Sequence, residues 1–437
     1  MAALLALFAI TCACPAPGQE AKPKKAAAAP KLTAEQKAKN VESFDVLWKT
    51  IRDTHYDPTL GGVDWQKVRE EFGPKVEKAA SMADARAAMT RAIDRLNRSH
   101  FGIIPAEVYK DLENPNGGPG DLGIELRIID DRAVVTRVVE GSAADKEGVR
   151  PGWTVEKVGE RTTKDVLAAV EKAFHNRAMW PSRKALTIMS LMRGPVGAFT
   201  SIGFRDREDH ERNLKLAYAE PKGFKASFGN LPDFHVRYES KRIDQSIGYI
   251  GLNIFFDLSR VLSQFAQSVS SFRDTDGLII DLRGNPGGIG AMAIGLGGWF
   301  VTEPDQKLGT MITRDSSMNF ALNPRSTAYD GPVAILVDEL SMSTSEILAG
   351  GLQDLKRARI FGTKTPGAAL PSRFDVLPNG DRFQYAFANY ISFGGKPLEG
   401  LGVTPDVVSP VTLEALRAGH DPALEAAASW IHSQRSK

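Results

Sequence analysis

Apolar residues first recur at helical spacing in Val41, Phe44, Leu47, Trp48 and Ile51. Thr33 and Gln36 just ahead of them fit a capping box, so a helix is expected to open there. Asp57-Pro58 and Gly61-Gly62 mark a loop, after which Val63-Asp64-Trp65 begins a second helical stretch. A third covers about Met82 to Leu96 and runs into Asn97-Arg98-Ser99-His100-Phe101. The pattern predicts an N-terminal helical domain over residues 33–112.

The period then changes from helical to alternating. Asn114-Pro115-Asn116-Gly117-Gly118-Pro119-Gly120 is a linker signal, and Leu122-Gly123-Ile124-Glu125-Leu126 alternates as a strand does. Strands at Ala133–Val139 and Val155–Val158, a helix near Thr163–Phe174 and strands from Leu186 to Ala217 predict a β-rich domain over residues 120–220. Past Pro232, Ile247–Ile254 starts a new β-rich core, followed by an amphipathic helix at Ser259–Phe272 and a buried strand at Gly277–Leu282. Pro332–Val337 reads as another buried strand and Ile347–Leu352 as the helix after it. Arg359–Phe361, a hairpin around Asn379-Gly380, and Leu398–Asp406 close the core. Strands separated by helices imply an α/β domain with crossover connections, residues 230–411. A C-terminal helix follows over 412–437.

Residues Met1 to Cys14 are uncharged and mostly apolar and Pro15-Ala16-Pro17-Gly18 breaks the run, so residues 1–18 fit a signal peptide whose basic n-region is missing. Residues 19–32, rich in Lys, Ala and Pro, read as a disordered tether. Both cysteines lie in the leader, so the mature chain is expected to hold neither disulfides nor a cysteine nucleophile. The expected location is the bacterial periplasm or cell envelope, with a membrane tether as an alternative. At 437 residues two or three domains are expected. A charged fraction of 25% and a net charge of +2 give no reason to expect nucleic acid as a partner.

Candidate chemistry gathers where the strand Pro332–Val337 hands over to the next helix. Ser341, Ser343 and Ser345 sit there, at the positive end of a helix beside N–H groups that lack intrahelical partners. A nucleophile whose attack creates an oxyanion suits that place. Ser343-x-x-Glu346 also matches a capping box, which is the structural alternative. His100, one of seven histidines, stands at a helix end and is a candidate general base or a structural residue. Gly288-Ile289-Gly290-Ala291-Met292-Ala293 formally matches a dinucleotide fingerprint. Arg283–Gly287 separate it from the strand end, however, and no acid is placed for ribose. No cofactor and no metal are therefore expected, and the N–H groups of Gly287 and Gly288 are assigned to half of an oxyanion hole.

Residues Leu122 to Val158 resemble a PDZ domain, with Gly148–Trp153 matching its Gly-x-x-x-Gly-Asp stretch except at Trp153. The resemblance makes Leu122, Gly123 and Ile124 the peptide-binding positions. Together with Leu96-Asn97-Arg98-Ser99-His100, Asp281–Gly288, Ser341–Glu346 and Glu399–Asp406, the chain resembles the carboxyl-terminal processing, or tail-specific, serine peptidases and their tricorn-like relatives. That resemblance implies a multidomain α/β fold: a ClpP/crotonase-like core, an N-terminal helical region and an inserted PDZ-like β domain.

The resemblance makes Ser343 the nucleophile. Members of the Ser–Lys type place lysine 25 residues after the serine, where this chain has Ala368. Lys364 is near in sequence but on the other side of the turn. Tricorn-like members use serine, histidine and glutamate, with a second serine before the histidine, and Ser99, His100 and Glu399 match them. His100 then takes the Ser343 proton, Glu399 steadies the imidazolium through Ser99, and Thr344 with Gly287 or Gly288 holds the oxyanion. The expected function is an exported serine endopeptidase acting on extended or C-terminal segments of protein or peptide substrates. A catalytically inactive peptide-binding protein on the same scaffold is the main rival, and acyl-CoA chemistry the third reading. Oligomeric state is left open, a homo-oligomer included.

Overall fold

The computed structural model describes residues 32–107, 119–173, 179–228 and 231–434. The leader 1–18 and the tether, except for residue 32, lie outside the described residues.

Three helices, Ala34–Thr54, Trp65–Glu77 and Met82–Ile93, form the N-terminal region. Each opens on a side-chain cap, from Thr33, Asp64 and Ser81. Phe44, Leu47, Trp48 and Ile51 face a shared core with Val68, Phe72 and Met89. Trp48 and Trp65 each donate an indole N–H to the other's carbonyl, at 2.8 and 3.0 Å. This core also takes in Leu377, Phe383 and Tyr385 from far along the chain. The strand Gly102–Ile104 pairs antiparallel with Arg382–Ala386, and Arg86 is bonded through two nitrogens to fully buried Asp381, at 2.7 and 2.8 Å. The helical region is thereby sewn onto the C-terminal hairpin.

The β domain is a sheet in the order Ile124–Ile129, Arg132–Val138, Thr154–Val158, Phe199–Arg205, Glu211–Ala217. Its helices are Thr163–Ala173 and Trp180–Leu191. The second replaces the strand expected from Leu186. Leu186-Thr187-Ile188 is apolar enough for either period, and Pro181 at the helix start settles the matter locally.

The core is built on one six-stranded sheet. Its order is Tyr238–Ile243, Ile247–Leu252, Gly277–Asp281, Val333–Val337, Arg359–Gly362, Val407–Val408, antiparallel in the first pair and parallel in the rest. Gly277–Asp281 and Val333–Val337 are buried at every position, as central strands covered on both faces must be. One face carries apolar side chains of the helices Leu258–Ser271, Gly290–Gly297 and Thr344–Asp354. The other is covered by Ala423, Ala427 and Ile431 of the last helix, Pro422–Gln434. The single expected C-terminal helix is two, interrupted at Gly419, whose φ of 84° ends Leu413–Ala418.

The expected ClpP/crotonase-like core is corrected here. Two three-stranded antiparallel sheets flank the six-stranded one, and one of them is completed by Gly102–Ile104 from outside the core segment. The architecture is an α/β assembly whose core is shared with the helical region, with the PDZ-like β domain as an insert.

The β domain is fastened to this core by Arg127, which donates to Asp338 at 2.6 Å with both side chains about nine-tenths buried. Arg127→Ala would leave Asp338 buried without its cation. It should cost about 3–5 kcal/mol in urea unfolding. Arg95→Ala, which removes the exposed partner of Glu71, should cost under ~1 kcal/mol.

Candidate active site

Ser343 sits between the buried strand Val333–Val337 and the helix Thr344–Asp354, with φ 56° and ψ −115°. An L-residue rarely adopts that conformation, which costs on the order of 1–3 kcal/mol. The surroundings over-determine it. Ser343 N–H donates to Ala368 O at 2.9 Å and to Glu346 Oε2 at 3.0 Å. Met342 N–H and the Ser345 hydroxyl both donate to Asn285 O, at 3.0 and 2.9 Å. Thr344 Oγ1 donates to Gly288 O at 3.0 Å. The Gly-rich turn after Asp281 is thus laced to the serine turn from both sides.

That lacing explains the glycines. A Cβ on Gly287 would lie 2.7 Å from Ser343 Cβ and 3.0 Å from Thr344 N, and one on Gly288 would lie 2.3 Å from Phe255 O. Gly287 N–H is taken by Asn285 Oδ1 at 2.9 Å. The N–H groups of Thr344 and Gly288 have no hydrogen-bond acceptor among the described residues. Asn285 also donates to Leu252 O at 2.7 Å, so one buried amide orders the whole turn. The sequence reading passed over this asparagine, whose only local signal is its place in a glycine-rich turn at a strand end.

A second cluster joins residues from the two ends of the chain. Glu399 accepts from Ser99 N–H at 2.8 Å, from Ser99 Oγ at 2.7 Å and from Ala369 N–H at 3.2 Å. Ser99 Oγ lies 2.6 Å from His100 Nδ1. With Glu399 ionised, the single Ser99 proton goes to the carboxylate, so Nδ1–H of His100 is the donor to Ser99. Nε2 then carries the lone pair. Left-handed backbone at Asn97 and His100, φ 47° and 60°, turns the chain after Leu96 to deliver this pair.

The two clusters meet across one peptide. Ala368 O holds Ser343 N–H, and the next residue's N–H holds Glu399. Ser343 is 5% exposed and His100 3%. Burial, with the Arg183 charge adding to it, pushes the imidazole down to about 3, so His100 is neutral at pH 7. Burial raises Glu399 above the usual carboxylate range, against the hydrogen bonds from Ser99.

The helix Trp180–Leu191 lies over this region. Ser182 Oγ donates to Glu339 O at 2.6 Å, and Ala185, Ile188 and Met192 share an apolar cluster with Leu340, Met342 and Ala368. Ala368 is 0% exposed within it. Lys364 is exposed and lines a cavity of about 1460 Å³ with Arg127, Arg283, Asp338 and Glu339. None of Leu122, Gly123 and Ile124 is bonded to the Ser343 cluster among the described residues. They open the edge strand of the β domain, where Gly123 N–H donates to Asp121 Oδ1 at 3.0 Å. Asp206, Glu208 and His210 are the one group among the described residues with metal-ligand spacing. Asp206 is already spent there on Arg212 and on the N–H groups of Glu208 and His210.

The sequence pattern of Peptidase family S41 matches residues 246–409, and that of the Tricorn protease C1 domain matches residues 36–91. Carboxyl-terminal-processing peptidase 3, chloroplastic, of Arabidopsis thaliana is 27% identical over 379 residues, which cover 82% of this chain and 67% of that protein. The carboxy-terminal-processing protease of Bartonella bacilliformis is 24% identical over 367 residues, 82% of this chain and 76% of that one. Among solved structures, the photosystem II D1 C-terminal processing protease aligns with a TM-score of 0.58 at 20% identity, covering 91% of this chain and 97% of its own. Mature CPAF complexed with lactacystin aligns at 0.62 and 15% identity, covering 91% and 98%. These likenesses span helical region, β domain and core together. The fold is therefore that of the S41 and tricorn peptidases, an α/β fold with a PDZ-like insert, in place of the ClpP/crotonase-like core. The chain is a homologue of the carboxyl-terminal-processing and tricorn peptidases, and a serine-type endopeptidase.

Proposed function

We propose that this endopeptidase cleaves extended or C-terminal segments of proteins through an acyl-enzyme on Ser343, with His100 as its base. The observation that carries the reading is the hydrogen-bonded chain Glu399–Ser99–His100, which meets the Ser343 turn across the Ala368–Ala369 peptide. Ser343 Oγ attacks the scissile carbonyl carbon while its proton passes to His100 Nε2. The oxyanion is held by the N–H groups of Thr344 and Gly288, which have no acceptor among the described residues. The growing negative charge offsets the burial that otherwise disfavours a charged imidazole. Glu399 acts through Ser99, fixing the tautomer of His100 and steadying the imidazolium. His100 then gives the proton to the leaving amine, and water releases the acyl group by the same route in reverse.

The β domain, read as a PDZ-like module over residues 120–220, supplies an edge strand at Ile124–Ile129 onto which an extended chain can add. Leu122, Gly123 and Ile124 are its proposed peptide positions. The leader 1–18 supports export to the periplasm or cell envelope. Among the described residues no helix is long and apolar enough to cross a membrane.

A fluorophosphonate probe tests the nucleophile. Incubation of the full chain followed by peptide mapping should place the adduct on Ser343. An adduct on Ser341 or Ser345 alone would displace the assignment, and no adduct together with no proteolysis would favour a peptide-binding protein on the same scaffold.

A further inference from the structure

Glu346 has a part that a helix cap does not account for. It is 0% exposed, one residue row inside the helix that Ser343 opens, and its two oxygens collect four donors. Oε1 accepts from Thr365 Oγ1 at 2.6 Å and from Gly367 N–H at 2.8 Å. Oε2 accepts from Ser343 N–H and from Ala368 N–H, each at 3.0 Å. Building on the assignment of Ser343 as nucleophile, we propose that Glu346 is a positioning residue. Its ionised carboxylate locks the strained backbone of Ser343 to the turn 365–368, and through Ala369 to the relay that orients His100.

An ionised carboxylate is acceptor-only, with about four lone-pair sites, and four donors fill them here. A proton on Oε2 would point at the N–H groups of Ser343 and Ala368, neither of which can accept it. A proton on Oε1 would meet Gly367 N–H and a Thr365 hydroxyl that already accepts from Val403 N–H at 2.7 Å. The neutral acid must therefore release one strand of the lock or reverse the Thr365 bond, whose oxygen has one lone pair left to accept it. Among the described residues the carboxylate's hydrogen-bond partners are the N–H and hydroxyl groups of the turn 365–368 and the Ser343 turn. The other ionisable groups on the network are Glu399, through Ala369 N–H, and His100 beyond Ser99.

Burial raises Glu346 to about 7, with the four hydrogen bonds pulling the other way. His100 titrates far below that. Loss of the proton from Glu346 completes the lock, so kcat should rise with pH through the neutral range.

The test is steady-state hydrolysis of casein by the full chain between pH 5 and 9. Glu346→Gln keeps the size but not the charge, standing in for the neutral acid, and should lower kcat on the order of 10²-fold, with KM within about twofold and without the neutral limb. Thr365→Val removes one donor to the carboxylate, so it should move the limb to higher pH, and Thr365→Ser should return it. A helix cap alone would change stability and leave the limb where it is. Wild-type kcat in Glu346→Gln, or a limb unmoved by Thr365→Val, overturns the proposal even while the probe still labels Ser343. Absence of the Ser343 adduct in the wild type overturns the nucleophile assignment instead, so the two failures are distinguishable.

Discussion

Ser343→Ala should lower kcat for peptide hydrolysis on the order of 10⁶-fold and abolish labelling by fluorophosphonate. In the proposed mechanism the Ser343 hydroxyl forms the acyl bond, and neighbouring Ser341 and Ser345 cannot replace it. Ser341 Oγ donates to Leu282 O at 2.8 Å and Ser345 Oγ to Asn285 O at 2.9 Å, both fully buried. The backbone of residue 343 stays held by Ala368 O and Glu346 in the variant, because both bonds use its N–H. The unfolding midpoint should therefore stay close to that of the wild type. Hydrolysis by Ser343→Ala within tenfold of wild type would mean that another group attacks.

His100→Ala should be nearly as damaging, with a loss of kcat on the order of 10⁴- to 10⁶-fold and little change in KM. Lys364→Ala should leave kcat within about twofold, since the residue is exposed and lies in the wall of a separate cavity. The comparison decides between the two bases. The turn that carries lysine in Ser–Lys enzymes here presents Ala368, packed without exposure against Leu340 and Met342. A full-activity His100→Ala paired with a dead Lys364→Ala would reverse the assignment.

Much of this was legible in the residues. The stripe Phe44, Leu47, Trp48, Ile51 and the run Pro332–Val337 are found as a buried helix face and a buried strand, because periodicity and length agree there. The turn at Asn379-Gly380 is found where its chemistry demands, between Ser372–Val376 and Arg382–Ala386. The second arm, Arg382–Ala386, ends before Phe387. Its continuation, Ala388–Ser392, pairs with Lys307–Thr313 in another sheet, which no local pattern announces. Leu186–Met192 was misread as strand because a short apolar run carries no period of its own. At the site, Ser99, His100, Ser343 and Glu399 could be named from motifs, but their bonding could not. Glu346 reads as a cap from its spacing alone. Only the return of Thr365, Gly367 and Ala368 from about twenty residues downstream reveals its other three donors.

The bond from Ser99 to Glu399 spans 300 positions of the chain. A contact of that separation carries a large loop-closure cost and is made only after the intervening strands and helices have brought its ends together. Ribosomes deliver Ser99 and His100 early and Glu399 nearly last, with the β domain and both flanking sheets in between. On the proposed assignment, a nascent chain contains its histidine long before the carboxylate that orients it, and it should emerge without hydrolytic activity. Under that assignment, safety during synthesis follows from the order of the sequence itself: hydrolytic power is the final product of folding, available only once Ser99 and Glu399 have met.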